Sequence, residues 1–432
     1  MSVSDKMLGE LKWRGLMNQT MGNVGEIFNK PTTFYLGIDP TADSLGVHHM
    51  IGLLTSRILR RYGHTPIILI GGATSAIGDP SGKTEERKTI SMDDVFHNVE
   101  CVKKQLEHIM SSNYDGDIKF EIKNNYNWMK NFTFLEFMRT VGKKITVNYM
   151  MAKENVKKRL ERGGNGISCQ EFIYGLIQGY DFVHLYQTNN CHCQIAGSDN
   201  ISNIDTGIEL LRKSLGVTDV CGLTWDLITT ADGKKFGKSE GNTVWLDPKK
   251  TSPYDFMQFW INQSDADAEK FAKMFLVDKS IDEIKELIEL HKKDPSKRIL
   301  QKQLAHDVTV MVHGESAYEK AMAASNILFG KSSASDLESL DSETFKSVMR
   351  DVPKVDTDMS KVDNTNVVDF LCTVVNVGSK TEVKKLISGG GISINKEKVS
   401  NIKENVTKDM LLSNNTMLVQ KGKKKYFLVT VH

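Results

Sequence analysis

The chain has 432 residues, 40% hydrophobic and 25% charged, which is typical of a protein with two to four globular domains. Its formal net charge of +2 neither requires nor excludes a nucleic-acid partner, because a basic patch can be local. No apolar run of about 18 residues occurs, so we expect no transmembrane helix and no membrane partner. The charged stretch 1–14 lacks an apolar core, so no secretory signal is expected and the predicted location is cytoplasmic.

The first 32 residues predict a helical lead-in that ends near Pro31. A short apolar strand is predicted over 34–38, an amphipathic helix over 50–62 and a buried parallel strand over 66–70. A strand, a helix and a strand within about forty residues are the usual opening of a doubly wound α/β domain.

Helical patterns follow over 91–111 and 133–160, and we interpret them as an insertion before the fold resumes near Glu171. Another apolar strand is predicted over 224–229. Residues 252–340 are predicted to be mostly helical, including helices over 281–293 and 298–313. The polar stretch 351–363 predicts a linker, and 367–432 has the character of a separate small unit.

Six cysteines are scattered along the chain, and the close pair is Cys191 and Cys193, on either side of His192. A structural zinc site needs four converging ligands, which usually come from two such pairs. We therefore predict reduced thiols and no metal site.

Residues 39–49 combine a strand end, a proline turn and two histidines at the start of a helix. A helix N-terminus presents unpaired N–H groups and the positive end of a dipole, which attract phosphate. Thr41 and Ser44 can cap the helix or bind phosphate oxygens, and His48 and His49 can donate to a phosphate. The alternative is a polar cap with two exposed histidines.

Residues 232–239 form a glycine- and lysine-rich loop directly after the predicted strand 224–229. Lys235 and Lys238 can neutralise charge on a leaving pyrophosphate, and Ser239 closes the motif. A solvated loop is the alternative. A second candidate, around Lys83, is not a P-loop, because Ile77 stands where that motif needs its first glycine.

The segment 171–182 places three polar side chains on one face of a helix, because Tyr174, Gln178 and Asp181 are spaced i, i+4 and i+7. A buried acceptor such as Asp181 can bind a phenolic hydroxyl, and Tyr35 at a strand end can share it. The alternative is a helix that packs its tyrosine and glutamine at an interface.

Together these elements resemble the HIGH and KMSKS motifs of the class I aminoacyl-tRNA synthetases, and from about Leu11 to Tyr426 the chain is similar to the bacterial-type tyrosyl enzymes. The resemblance implies a Rossmann-like α/β catalytic domain over 1–220 with an inserted connective segment. It also implies a helical, anticodon-side domain over 221–350, a linker over 351–364 and a small α+β RNA-binding module over 365–432. The implied activity is tyrosine activation with ATP and Mg²⁺ followed by transfer to tRNA(Tyr), in a homodimer without a tightly bound cofactor.

The resemblance also assigns residues. The implied tyrosine site comprises Tyr35, Asp79, Tyr174, Gln178, Asp181 and Gln194. The implied ATP and ribose site comprises Gly37, Asp39, His48, Gly197 and Asp199. The implied catalytic set comprises Thr41, His49, Lys83, Arg87, Lys235, Lys238 and Ser239. The implied RNA contacts are Lys380, Lys384, Lys385 and Lys423.

The chain departs from the family pattern in two places. The motif His-x-Gly-His is here Gly46-Val47-His48-His49, and Asn200 and Ile201 replace Gln and Trp in the ribose loop. These departures leave two alternatives open. One is a paralogue without catalysis that acts as an RNA-binding or regulatory protein; the other is an active variant with altered ATP geometry, such as a drug-resistant second copy.

Overall fold

The computed structural model describes residues 2–78, 90–112, 114, 116–160, 167–233, 236–239, 242–329, 334–350, 352–422 and 425–432. The chain divides into two compact units. The first contains residues 1–251 and 259–312, and the second contains residues 252–258 and 313–432.

A six-stranded sheet, counted over the described residues, forms the centre of the first unit. Its strands are β1 Thr20–Met21, β2 Thr33–Ile38, β3 Thr65–Ile70, β4 Glu121–Asn124, β5 Cys191–Gly197 and β6 Cys221–Trp225. The order is β1-β6-β5-β2-β3-β4, with β2 to β6 parallel and β1 antiparallel beside β6. The strand order therefore reverses between β2 and β5, and ligands of such sheets bind at this switch point, beyond the carboxyl ends of the strands.

Eleven helices accompany this sheet in the described part of the chain. They are α1 Val3–Arg14, α2 Val24–Ile27, α3 Met50–Arg61, α4 Gly72–Ile77, α5 Met92–Ser111, α6 Tyr126–Met129, α7 Phe134–Thr140, α8 Val147–Met151, α9 Glu154–Leu160, α10 Cys169–Asn189 and α11 Ile201–Leu215. The predictions for β2, α3, β3 and α5 are confirmed to within one residue. These elements carry the strongest patterns; five of the six residues of β3, for example, are buried.

Three expectations for this unit are wrong. The lead-in is not helical to residue 32, because Gly15 ends α1 in a left-handed conformation (φ 74°) and β1 then joins the sheet. The stretch from 91 is not an insertion, since β4 pairs in parallel with β3 and belongs to the central sheet. The helix expected over 133–160 is divided, because Thr133 and Thr146 each cap a new helix.

The strand expected over 224–229 begins three residues earlier and ends at Trp225.

After this strand come a two-stranded ribbon, β7 Lys238–Ser239 and β8 Asn242–Thr243, and then a set of helices, as predicted for 252–340. These are α12 Pro253–Ile261, α13 Asp265–Phe275, α14 Ile281–Lys293 and α15 Ile299–His313. The aromatic rings of Phe236, Trp260, Phe271 and Phe275 form a buried cluster beneath the start of the ribbon.

The second unit continues with helices and ends in a sheet. Its helices are α16 Glu315–Phe329, α17 Ala334–Glu338, α18 Ser342–Val348, α19 Val367–Asp369 and α20 Lys380–Ser388. Its strands are β9 Lys354–Thr357, β10 Thr365–Asn366, β11 Ile392–Ile394, β12 Glu397–Lys398, β13 Asn405–Val406, β14 Thr416–Lys421 and β15 Lys425–Val431. Within the described residues, five strands form one sheet in the order β12-β11-β14-β15-β9.

The segment 351–364, predicted as a linker, contributes to this terminal sheet. Residues 354–357 form β9 and pair in parallel with β15, from Leu428 to Val431. The polar sequence of β9 is that of an edge strand, which explains why its composition indicates a linker. Among the helices that the structure describes, none is long and apolar enough to span a bilayer.

Candidate functional site

One cavity of about 750 Å³ lies at the carboxyl ends of β2, β3 and β5, at the switch point of the first unit. Twelve residues predicted from the sequence line it together. They are Tyr35, Gly37, Asp39, Thr41, His48, His49, Tyr174, Gln178, Asp181, Gln194, Gly197 and Asp199. A Cβ atom at Gly37 would meet nothing within 4 Å, so the cavity opens directly onto the backbone of β2.

The remaining predicted residues are distributed differently. Lys238 and Ser239 form β7, and Lys238 is exposed, while Phe236 and Thr243 on either side of them line the cavity. Asp79, Lys83, Arg87, Lys235 and Lys423 lie outside the described residues.

A buried carboxylate lines the cavity, that of Asp181, which is 1% exposed. Asn125 Nδ2 donates to its Oδ2 over 3.0 Å, and Trp128 Nε1 donates to its Oδ1 over 2.9 Å. Burial raises the pKa of Asp181 to about 7, although both hydrogen bonds favour the ionised form. The hydroxyl of Tyr35 is buried beside this group and has no hydrogen-bond partner among the described residues.

A second polar cluster joins β2, α4 and α10. Asp39 accepts from the hydroxyl of Thr74 over 2.6 Å and from the hydroxyl of Tyr174 over 2.9 Å. Gly71 makes this approach possible, because a Cβ there would lie 1.9 Å from Asp39 Oδ1 and 2.2 Å from Thr74 Oγ1. Asn125 also donates to Thr74 over 3.2 Å and so links this cluster to Asp181.

A third polar cluster consists mainly of side-chain amides. Asn203 Nδ2 donates to Gln178 Oε1 over 2.8 Å and to Asn200 Oδ1 over 3.3 Å, and Asn200 donates to Asp199 over 3.3 Å. Gln194 is 1% exposed, and its Oε1 has no partner among the residues that the structure describes. A buried acceptor without a partner is costly, so Gln194 is a candidate for contact with a bound molecule.

The two histidines lie on a single helical turn, Val47–His49, directly before α3. The backbone N–H of Gly46 donates to His49 Nδ1 over 3.0 Å, so Nδ1 is an acceptor and a neutral ring carries its proton on Nε2. The rings of His48 and His49 are 4.0 Å apart between centroids. Both line the cavity at the N-terminal end of α3.

This histidine turn is hydrogen-bonded to the segment that follows the lysine loop. Val47 N donates to Val244 O over 2.9 Å, Leu246 N donates to Leu45 O over 2.8 Å, and Gly46 and Trp245 form an antiparallel bridge. Two segments about two hundred residues apart in the sequence, 45–47 and 244–246, are therefore joined by one short backbone ladder.

Sequence reasoning missed several residues of the site. Thr74, Asn125, Trp128 and Asn203 hold Asp39, Asp181 and Gln178 in place. Asn125 follows β4 directly, and polar residues at the carboxyl ends of parallel strands meet at one edge of the sheet. That signal was available, but it requires β4 to be recognised as a strand.

Three of the lysines predicted to contact RNA, Lys380, Lys384 and Lys385, lie on α20 in the second unit. All three are exposed, and Lys380 also pairs with Asp369 over 2.5 Å. Lys421 donates to Val377 O and to Glu382 Oε1, both over 2.8 Å, so it fastens β14 to the start of α20.

Cys191 and Cys193 are buried in β5 as free thiols. Over the described ranges, no group of three or more His, Cys, Asp or Glu side chains is placed to hold a metal ion.

Comparisons with known proteins agree with this geometry. Residues 28–330 match the family described as tRNA synthetases class I (W and Y), and residues 344–429 match the tyrosine–tRNA ligase SYY-like C-terminal domain. The chain is 48% identical to the tyrosine–tRNA ligase of Bacteroides thetaiotaomicron over 97% of this chain and 98% of that one. It is 47% identical to the ligase of Porphyromonas gingivalis over 98% and 99% of the two chains.

A solved structure gives the same result for the fold. The C-terminally truncated mitochondrial tyrosyl-tRNA synthetase of Aspergillus nidulans superimposes with a TM-score of 0.67 and 29% identity. The match covers 75% of this chain and 94% of that one.

Proposed function

The chain belongs to the tyrosine–tRNA ligases of the class I tRNA synthetases, and from this premise we propose which of its residues carry out each step. The reaction has two steps. The carboxylate of tyrosine attacks the α-phosphate of ATP, which gives tyrosyl-adenylate and pyrophosphate. A terminal ribose hydroxyl of tRNA(Tyr) then attacks the adenylate carbonyl and releases AMP. Neither step needs a covalent enzyme intermediate.

The observation that carries the proposal is the arrangement around Asp181. A tyrosine bound with its ring beside Tyr35 presents a phenolic hydroxyl to the buried Asp181 carboxylate, which Asn125 and Trp128 already hold in place. The unpaired hydroxyl of Tyr35 gains a partner in the same step. Phenylalanine would leave these buried groups unsatisfied, so the site selects for the hydroxyl.

The amino group of tyrosine is assigned to the opposite end of this pocket. Tyr174 and Gln178 are one helical turn apart on α10, and Asp39 lies within hydrogen-bond distance of Tyr174. A carboxylate and two neutral acceptors suit an ammonium group. Asp79 belongs to the same proposed set, and Gln194 lines the tyrosine side.

ATP is assigned to the N-terminal end of α3. The helix dipole attracts the phosphates there, and Thr41, His48 and His49 line that part of the cavity. Gly37, Gly197 and Asp199 line the cavity as well and are assigned to the ribose and adenine. Lys83, Arg87, Lys235, Lys238 and Ser239 are proposed to neutralise the pyrophosphate as it leaves. The nucleotide is proposed to bind as its Mg²⁺ complex, with Mg²⁺ as part of the substrate.

Two proposals concern partners. Helices α7 and α8 expose apolar side chains, with Phe134 and Leu135 each 71% exposed and Val147 61% exposed. Such a patch marks a protein interface, and we assign it to a second copy of the chain. In the second unit, Lys384, Lys385, Lys380 and Lys423 are assigned to tRNA phosphates, so affinity should fall with salt.

The test is tyrosine-dependent ATP–pyrophosphate exchange by the purified chain. We expect exchange with tyrosine and little with phenylalanine, and a loss of exchange in Lys238→Ala with the affinity for tyrosine retained. Tyrosine binding without exchange would contradict the assignment of the phosphate site and favour a non-catalytic paralogue. Phe134→Glu, measured by sedimentation, should convert a dimer to a monomer; an unchanged mass would exclude the proposed interface.

A further inference from the structure

The space above Gly46 is filled by the ring of a neighbouring residue. A Cβ atom at Gly46 would lie 2.8 Å from His48 Cε1 and 2.9 Å from His48 Nδ1, and 3.0 Å from Thr243 Cγ2. Protein Cβ atoms essentially never approach other heavy atoms within 3.0 Å. The imidazole of residue 48 therefore occupies the volume in which a side chain of residue 46 would begin.

Several contacts fix residue 48 in this place. Its ring packs against that of His49, which in turn accepts the Gly46 amide. In addition, a Cβ at Gly237 would lie 3.5 Å from both His48 N and His48 Cβ, so the backbone of Gly237 packs against this residue. Gly237 also has φ 84°, which favours glycine.

The position of the ring suits contact with an anion. His48 lines the cavity at the N-terminal end of α3, beside Thr41 and His49, and the backbone of Gly237 in the lysine loop lies against it. Each imidazole has a ring nitrogen that can donate to a phosphate oxygen. This chain has Gly46 and His48, the reverse of the His-x-Gly-His pattern that this turn resembles.

We propose that Gly46 and His48 are an exchanged pair: the ring of His48 takes the volume of an absent side chain at residue 46 and contacts the α-phosphate as a catalytic residue of the activation step. Gly46 makes room for the ring, and a side chain at residue 46 would displace the ring of His48 from its present position. This inference rests on the proposed function, since it assigns a residue to the phosphate site described above.

If Gly46 and His48 are an exchanged pair, a double-mutant cycle should show a specific pattern of activities. The activities are measured by ATP–pyrophosphate exchange. His48→Gly should lower kcat/KM for ATP about 10- to 100-fold, as expected for the loss of one hydrogen bond to a charged group. Gly46→His should be at least as damaging, because its side chain meets His48 and Thr243. The double variant Gly46→His/His48→Gly, with Thr243→Ala if needed for space, should recover at least tenfold over the worse single variant.

Matched variants separate a chemical role from a structural one. His48→Asn, which keeps an N–H donor, should exceed His48→Ala in kcat at least about fivefold, and added imidazole should raise the kcat of His48→Gly. The dissociation constant for tyrosine should stay within twofold of the wild type in every folded variant, because tyrosine binds at the other end of the cavity. Melting temperatures identify variants that do not fold.

The possible outcomes distinguish a failure of the proposed function from a failure of the role assigned to His48. A wild-type chain without exchange would refute the proposed function. If the wild type is active and the kcat values of His48→Ala and His48→Asn are both within twofold of its kcat, the catalytic role of His48 is refuted and the proposed function is not. A double variant no better than the worse single variant would show that the two positions are not exchanged.

Discussion

Replacement of Trp128 by phenylalanine tests the idea that hydrogen bonds keep Asp181 ready for the substrate hydroxyl. The change removes the Nε1 donor, 2.9 Å from Asp181 Oδ1, and keeps a ring to stack on His184. A hydrogen bond to a charged group contributes roughly 1.5–3 kcal/mol. At 1.36 kcal/mol per pKa unit, its loss raises the pKa of Asp181 by about 1–2 units from its value of about 7.

The assay is the dissociation constant for tyrosine, measured calorimetrically between pH 5.5 and 8.5. In the wild type, affinity should fall as pH drops below about 7, because the carboxylate becomes protonated. In Trp128→Phe this midpoint should move upward, and at pH 7.5 binding should be about tenfold weaker.

Two controls accompany the experiment. Phenylalanine as ligand should show little of this pH dependence, because it has no hydroxyl to present to Asp181. Tyr180→Phe removes a hydroxyl from a ring that lies near His184, as Trp128 does, and should leave the midpoint unchanged. A Trp128→Phe variant with the wild-type midpoint and affinity would refute the reasoning.

Two further predictions concern stability, and a third concerns the close contact between Gly71 and Asp39. Asp181→Asn should remove a pH dependence of stability: the wild type should lose up to ~4 kcal/mol as pH rises from about 4 to about 7, because its folded pKa is raised, whereas the amide does not titrate. The variant should be the less stable protein near pH 4, since its NH2 group faces the donor of Asn125 or Trp128; a pH dependence equal to that of the wild type would contradict this. Burial lowers the pKa of His64 to about 4, so the free energy of unfolding should fall by up to ~3 kcal/mol as pH drops from about 6.5 towards 4. His64→Phe should remove this part of the pH dependence, measured by urea titrations. An undiminished pH dependence in the variant would contradict the assignment. Gly71→Ala places a Cβ 1.9 Å from Asp39 Oδ1 and should raise the KM for tyrosine at least tenfold, whereas Gly9→Ala, with open space, should not; similar KM values would show that the Asp39 cluster tolerates displacement.

The sequence predicted those elements in which one pattern dominates. β2, α3 and β3 are apolar or amphipathic over their whole length, and their bounds agree with the structure to within one residue. β4 was missed because Glu121–Asn124 is short and polar, and no residue in it is fully buried. The pairing with β3 that makes it a strand is a tertiary contact, and no local pattern reports it.

The same distinction applies to the site. The spacing of Tyr174, Gln178 and Asp181 was enough to place them on one face, and all three line the cavity. The donors that hold them come from other elements, such as Trp128 on α6, so their roles depend on packing that the sequence does not display. The ring of His48 over Gly46 is a choice of side-chain conformation, which motif spacing leaves undetermined.

The ladder between the histidine turn and the segment after the lysine loop limits how the site can open. The amides of Val47 and Leu246 are held by bonds that join residues about two hundred positions apart in the chain. If the lysine loop lifts away while this ladder stays closed, both amides should exchange with solvent deuterium as slowly as their neighbours in α3. If the site opens by separating the histidine turn from this segment, both bonds break and the two amides should lose protection at the same rate. Hydrogen exchange at these two positions therefore shows whether the lysine loop moves alone or whether the ladder opens with it.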